Sequence, residues 1–348
     1  MSTFPTLRFA VIGIDHRHIY DQVSSLQAIG AECAGYFTHG EPLTLKGFQE
    51  RFGSIPRVAD PDRLLEDPSI QLIVCAAIPC QRAAIAVDVM RHGKDFMVDK
   101  PGVTTFEQLE QVRQAQRETG RIYTINFTER FEVRAVTRAT ELVRAGAIGQ
   151  VLQTVGLGPH RLNRQTRPSW FFDPQQNGGI LVDVASHQID QFLHFTQADD
   201  ARIVVSRYGN LGHPEDPGMQ DFGEIILAHG PASGYIRVDW FTPDGLATWG
   251  DGRLTILGSH GYIELRKYVD IAGRPGKDHL FLVDGQGTRY IDCSDAALPY
   301  YTDLRRDIFE RTGTDSRHPD CFKVTELALT AQARAEIIPS AESLPCTK

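Results

Sequence analysis

The chain predicts two domains in series: an α/β domain on a parallel sheet, then an α+β domain on a mostly antiparallel open sheet. Three observations predict this. At 348 residues the chain exceeds what one hydrophobic core usually organises. Over residues 1–125, short continuously apolar runs alternate with helical segments, as parallel strands covered on both faces do. From about residue 201, extended segments succeed one another with only Gly-, Pro- and Asp-rich turns between them, which implies hairpins.

Taken in order, 7–14 is an apolar, β-branched run ending at Gly13, and 16–29 has helical character. A second strand at 33–37 precedes a helix at 42–52 and a short helix or turn at 61–65. The third strand is 72–77, the third helix 81–92 and the fourth strand 96–98. A helix at 104–119 stops at Gly120, and 122–125 is the fifth strand. Strands about 30 residues apart with helices between imply right-handed parallel crossovers. The domain boundary falls near residue 125, without a Gly/Ser-rich linker. A helix follows at 129–144 and a strand at 151–157. Residues 159–176 form the longest stretch of little regular pattern, and an apolar helix runs from Ile180 to about Phe195. Extended segments are expected at 201–208, 222–228, 234–241, 247–257 and 262–265, with a further pair at 281–283 and 289–291. Helices at 298–309 and 322–337 complete a second domain spanning 126–338, and 339–348 is expected to be a loose tail.

Three sites carry chemistry. A first strand that ends in glycine and feeds a helix is where a dinucleotide fingerprint is found, so the first domain is Rossmann-like. Here the turn reads Gly13-Ile14-Asp15-His16-Arg17-His18, keeping the first glycine and losing the other two. The helix start still offers N–H groups and a favourable dipole to a phosphate. Asp15 is expected either to cap the helix or to turn away, toward His16, Arg17 or His18. After the second strand stand Thr38 and His39, with no carboxylate to bind a ribose hydroxyl. A ribose phosphate would not be repelled there, which favours NADP over NAD.

In the second half, Asp183, His187 and Asp190 lie four and three residues apart, spacing that places them on one face of a helix. An imidazole titrates near neutrality and a carboxylate can orient it, so such a pair suits proton transfer. Just upstream, Arg161, Arg164 and Arg167 with Trp170 form an arginine–aromatic loop of the length that often binds small molecules. Its alternative is an aromatic satellite core with solvent-facing arginines.

Four segments together resemble the Gfo/Idh/MocA oxidoreductases, nicotinamide-dependent sugar and cyclitol dehydrogenases. The block from Asn177-Gly178-Gly179 to Asp190 resembles the motif that opens that family's substrate domain. Cys75-Ala76-Ala77-Ile78-Pro79 resembles its third strand and the proline-bearing turn beside the nicotinamide. Asp99-Lys100-Pro101 stands where the family has Glu-Lys-Pro, and Asn126-Phe127 resembles its crossing point between domains. The resemblance implies that Ala77, Pro79 and Lys100 adjoin NAD or NADP and that Lys100, Asp183 and His187 are catalytic, meeting in a cleft. It implies a homodimer or homotetramer through the second domain's sheet. The expected reaction is hydride transfer between the nicotinamide and a sugar, cyclitol or related polyol. The alternatives are a nucleotide-retaining enzyme that cleaves glycosides by oxidation, elimination and re-reduction, and a non-catalytic sugar-binding protein on the same fold.

Composition narrows the partners. A formal charge of −8 without a basic block argues against nucleic acid. No apolar stretch is long enough to span a bilayer, and the N-terminus lacks a signal-peptide pattern, so a cytoplasmic location is expected. The 6 cysteines show no framework spacing and are expected as reduced thiols. No metal site is expected: zinc and calcium motifs are absent, and His16 and His18, two apart, have poor ligand geometry unless their turn is unusual.

Overall fold

Five apolar runs of the first 126 residues pair side by side as parallel strands. The structure, a computed structural model, describes residues 5–313 and 320–339. Beyond Pro339 the expected tail lies outside the described residues, as does Cys346. The chain divides into two units. One comprises Met1–Asn126, Gln175–Asn177 and Pro299–Phe322, and the other Phe127–Pro174, Gly178–Leu298 and Lys323–Lys348.

In the first unit, β1 (Arg8–Ile12), β2 (Glu32–Phe37), β3 (Leu72–Cys75), β4 (Asp95–Asp99) and β5 (Tyr123–Asn126) pair in the order β2-β1-β3-β4-β5, every pair parallel. Strand order reverses between β1 and β3, and in open α/β sheets ligands bind beyond the carboxyl ends of strands at such a reversal. The connecting helices are α1 (Ile19–Ala28), α2 (Leu45–Arg51), α3 (Asp62–Leu65), α4 (Arg82–Arg91) and α5 (Phe106–Thr119). Thr105 caps α5 by accepting from the Gln108 N–H, and Gly120 ends it at φ 65°, the left-handed conformation glycine adopts without cost.

The second unit holds α6 (Thr128–Phe131), α7 (Arg134–Arg144), β6 (Val151–Pro159), α9 (Ile180–Asp183) and α10 (Ser186–Thr196), while α8 (Pro174–Asn177), between β6 and α9 in sequence, belongs mainly to the first unit. After these come β7 (Arg202–Gly209), β8 (Phe222–His229), β9 (Ala232–Asp239), β10 (Arg253–Gly258), β11 (Gly261–Arg266), β12 (His279–Asp284) and β13 (Gly287–Ile291). Helix α11 (Tyr300–Glu310) returns to the first unit, and α12 (Cys321–Arg334) and β14 (Glu336–Ile337) follow. The sheet order is β13-β12-β11-β10-β6-β9-β8-β7-β14. Its pairs are antiparallel except β6–β9 and β7–β14. Along β10 and β8, Leu254, Ile256, Ile225 and Leu227 are buried while Leu257 and Ile226 are exposed. This is the alternation of a sheet covered on one face. Val136, Ala139, Ile148, Ile263, Leu265 and Leu280 share the core beneath α7.

Four expected elements differ; the helix at 322–337 ends at Arg334, and Glu336–Ile337 pair with β7 as strand β14. The helix at 129–144 is two helices, because Val133 is extended at φ −109°, ψ 109°. The apolar helix from Ile180 is also two: the Ala185 N–H bonds the Ile180 carbonyl, five residues back, opening the turn between α9 and α10. The strand at 247–257 begins only at Arg253; Gly250 and Gly252 precede it, and glycine weakens pairing. Among the described residues no helix is long and apolar enough to cross a membrane, and no disulfide joins the five described cysteines to one another.

Candidate active site

In the first unit the candidate site is the turn after β1. Gly13 has φ +83°, and a Cβ on it would lie 2.4 Å from the Ala77 Cβ, so only glycine lets this turn close on the β3 end. Backbone bonds stitch the turn in place: Gly13 N–H to Phe37 O (2.9 Å), Ala76 N–H to Gly13 O (3.0 Å) and His16 N–H to Ala76 O (2.8 Å). Asp15 does not turn toward its sequence neighbours. Burial pushes its carboxyl up, opposed first by the Arg82 guanidinium and then by backbone N–H groups, among them that of Ile78. Arg17 is exposed at the start of α1.

His16 and His18 turn inward instead, each placing Nδ1 2.9 Å from a different oxygen of Asp99. Arg82, fully buried, locks the same strand end. Its Nε donates to Ala77 O (2.7 Å), its Nη1 to Asp99 O (2.7 Å) and Pro101 O (2.9 Å), and its Nη2 to Asp99 Oδ2 (3.3 Å). Burial would raise the Asp99 carboxyl; His18, His16 and Arg82 outweigh it and hold it well below the carboxylate range. Burial, with His18 next, pushes His16 down to about 3, so its imidazole is neutral. Lys100 follows directly, buried and joined to Pro101 by a cis peptide bond.

At the end of β2, Thr38 is buried and its Oγ1 has no hydrogen-bond partner among the described residues. His39 packs edge-on against Phe37. The Arg57 Nη2 donates to the carbonyls of Gly40 (2.8 Å) and Thr38 (3.2 Å). A cavity of about 260 Å³ opens here, lined by Gly13, Asp15, Phe37, His39, Ala77 and Gln81 among others. A cradle that a Cβ would fill, an apolar slot beside it and an orphaned hydroxyl at its rim fit a dinucleotide with its adenosine end toward β2. Ala77 and Pro79 are buried on the β3 side of that cradle.

In the second unit the sequence-predicted residues are carried by α9 and α10. Asp183 ends α9, half-buried, and His187 lies in the first turn of α10, 2% exposed. The two are not on one continuous helix. Asp190 holds an arginine: its carboxylate takes a two-pronged bond from Arg130, Nε to Oδ2 at 2.6 Å and Nη2 to Oδ1 at 2.8 Å. His187 meets the Phe127 ring edge-on at 6.0 Å. Beside it lies a buried group that no sequence motif marks. Lys267 Nζ (2.5 Å) and Gln188 Nε2 (2.7 Å) both donate to Glu129 Oε2, while Glu129 Oε1 is buried without a partner among the described residues. Burial would raise the Glu129 carboxyl; Lys267 first and His187 second overcome it and bring it down to about 2. One signal for this pair was present: Lys267 continues the in-phase series Ile263, Leu265 of inward residues, and an inward lysine needs a carboxylate. Arg82 had a similar signal, preceding the buried Ala83, Ala86 and Val89 of α4.

The arginines of the arginine–aromatic loop already hold partners within the second unit. Arg161 donates to Pro243 O (2.9 Å) and Leu246 O (2.5 Å). Arg164 pairs with Asp216, 2.8 Å at both contacts. Arg167 lies over the Phe171 ring at 4.5 Å and the Trp240 ring at 5.2 Å. Trp170 and Phe171 are buried. His160 stands between Trp240 and Trp249, with ring centroids at 5.1 and 4.6 Å.

Comparison with known proteins agrees with this anatomy. Residues 7–127 match the model of an oxidoreductase family with an NAD-binding Rossmann fold, and residues 136–264 match that of a GFO/IDH/MocA C-terminal domain. An oxidoreductase structure from Erwinia carotovora atroseptica SCRI1043 is 45% identical with a TM-score of 0.91, covering 96% of this chain and 100% of its own. The scyllo-inositol 2-dehydrogenase (NAD(+)) of Bacillus subtilis (strain 168) is 23% identical over 316 residues, 86% of each chain. A levoglucosan dehydrogenase in complex with NADH and levoglucosan shares the fold, with TM-score 0.77 at 17% identity, covering 94% of this chain and 97% of its own. With both of its units matched, the chain belongs to the Gfo/Idh/MocA family of oxidoreductases, its NAD-binding Rossmann-fold domain preceding the family's C-terminal domain.

Proposed function

We propose that the protein is an NAD(P)-dependent dehydrogenase or reductase of a sugar, cyclitol or related polyol. The position of Lys100 carries this reading. It follows β4 with both neighbours, Asp99 and Pro101, tied to buried Arg82, at the strand ends where a sheet of this order binds ligands. Relatives that act on scyllo-inositol and levoglucosan support the substrate class.

A bound nicotinamide accepts or supplies the hydride. Gly13, Asp15, His16, Arg17 and His18 form the turn that holds the pyrophosphate, and Ala77, Pro79 and Lys100 adjoin the nicotinamide end. Thr38 and His39 receive the adenosine ribose. Arg57, anchored on the Thr38 and Gly40 carbonyls, puts a guanidinium where NAD enzymes place a carboxylate, which favours NADP. Lys100 donates from Nζ to the reacting oxygen and stabilises its developing negative charge. His187 takes the hydroxyl proton during oxidation and returns it during reduction. Asp183 holds a neighbouring hydroxyl or orients His187. Arg161, Arg164, Arg167 and Trp170 shape the substrate lip through their loop rather than by open charges. Reduced-nucleotide absorbance followed with NAD and NADP across cyclitols, aldoses and anhydrosugars tests this. Turnover with a polyol, faster with NADP, is expected; no turnover from folded protein with either nucleotide overturns it.

We further propose a homodimer or homotetramer through the open face of the nine-stranded sheet. Pairing puts Ile226 opposite Tyr235 and Leu257 opposite Tyr262 on that face, and Ile226, Leu257 and Tyr262 are exposed. Leu257→Glu with Tyr262→Glu is expected to lower the mass measured by light scattering to that of one chain; a monomeric wild type overturns the proposal.

A further inference from the structure

His16, His18 and Asp99 bring their ligand-capable atoms within 4.8 Å of one another, and no other such group of His, Cys, Asp and Glu occurs among the described residues. The unusual turn is what makes the spacing work. The Ile19 N–H bonds the His16 carbonyl (3.2 Å), so the chain doubles back between the two histidines and both rings face the end of β4.

Each Nδ1 stands 2.9 Å from its own Asp99 oxygen. Two ligand atoms bound to one cation at about 2.1 Å are separated by about 3.4 Å at the tetrahedral angle and by about 3 Å at a right angle, so both separations match the edge of a six-coordinate shell or of a slightly compressed four-coordinate one. The imidazole planes cross at 88° with centroids 4.2 Å apart, so neither ring lies flat over the other. Asp99 is inaccessible, while the His16 and His18 side chains are 16% and 30% exposed. His16 Nδ1 is itself buried, so the cluster is closed on the Asp99 and His16 side and reached by solvent past His18.

The charges facing it select the ion. Arg82 adjoins Asp99 and Lys100 bears on His16. Such neighbours oppose an ion held by charge alone, so magnesium and calcium are poor candidates. Two imidazoles and one carboxylate suit first-row transition ions, whose bonds to nitrogen are strong. Three of Arg82's contacts go to backbone carbonyls, and its contact with Asp99 Oδ2 is the longest of the four, 3.3 Å. That is the geometry of an outer group that orients a ligating carboxylate.

We propose that His16, His18 and Asp99 bind one first-row divalent cation of the zinc class, with Arg82 orienting the carboxylate. This assignment goes beyond the dehydrogenase reading and stands or falls without it. The rival state is a hydrogen-bonded cluster with no ion. Full-length, tag-free protein is stripped with chelator and titrated with Co²⁺, following visible ligand-field absorption. In parallel, protein equilibrated with Zn²⁺ and desalted is assayed for metal. Wild type is expected to saturate at one Co²⁺ per chain and retain zinc. His16→Asn and His18→Asn are expected to weaken binding at least about tenfold, while His92→Asn, at an exposed histidine of α4's end, leaves it unchanged. Folded wild type that shows no band and keeps no zinc overturns the proposal, as does a band that survives in both variants.

Discussion

Lys100 and His187 are the residues on which proposed activity turns. Lys100→Met and His187→Ala are each expected to lower turnover roughly 100-fold or more, since positioned proton transfer contributes about that much, while the melting temperature stays near wild type. Near-wild-type turnover in both variants, measured beside melting curves, would end the mechanism. Glu129 behaves differently. Its carboxyl lies at about 2 in the folded chain against an ordinary 4.5, so the unfolded chain takes up the proton first as pH falls. The stabilisation is complete above about 4.5 and is lost between there and about 2. Glu129→Gln strands the Lys267 ammonium, a loss of about 3–5 kcal/mol for breaking a buried pair, and the gap from wild type should shrink as the pH is lowered from 6 toward 3. Urea midpoints across that range check it; a gap independent of pH contradicts the assignment. Lys100, Asp183 and His187 were visible in sequence because short motifs surround them. Glu129 and Lys267 were not, because they are 138 positions apart and only the packed sheet makes them one group.

At the scale of elements, the turn between β1 and α1 determines what the first unit can hold. Gly13→Ala is expected to weaken NADH binding at least tenfold and lower the melting temperature. Its Cβ would meet Ala77 at 2.4 Å, and a left-handed φ costs a non-glycine residue about 1–2 kcal/mol. Adding Ala77→Gly removes the nearer contact and should recover part of both losses; titration with NADH on the two variants measures this, and unaltered affinity in Gly13→Ala would show that nucleotide binds elsewhere. Most elements were legible from periodicity, since their apolar runs are bounded by glycine, proline or polar turns. The break between α9 and α10 was not. Ile180 to Phe195 is buried on almost every side, the polar Gln188, Asp190 and Gln191 included, so no periodicity marks where the helix opens. The fate of Asp15 was equally hidden, because the Ile78 N–H that it faces belongs to a different strand's turn.

In the whole molecule, the first unit is finished by chain from far downstream. Helix α11 supplies Tyr300 and Tyr301, whose hydroxyls bond the Thr124 hydroxyl (3.2 Å) and the Asn126 amide (2.9 Å). Arg311 reaches Asp95 at 2.7 Å and Arg305 reaches the Pro5 carbonyl at 2.9 Å. Composition alone placed two domains but could not show this return, because α11 reads as an ordinary amphipathic helix. A fragment ending at residue 126 is therefore expected to be less protease-resistant than the same unit in the full chain, and a chain cut before residue 299 should lose that protection too. Limited proteolysis of the three proteins compares them; equal resistance would mean that α11 is dispensable.

The same return has a consequence during synthesis. Asn126 leaves the ribosome 175 positions ahead of Tyr301, which at about 5–20 residues per second is a delay on the order of ten to thirty-five seconds. Throughout that interval the Thr124 and Asn126 side chains of edge strand β5 lack the tyrosine hydroxyls that they later bond. The nucleotide-binding unit, first to be translated, is thus among the last parts of the protein to be completed, and its folding yield in the cell should depend on whatever shields that edge in the meantime.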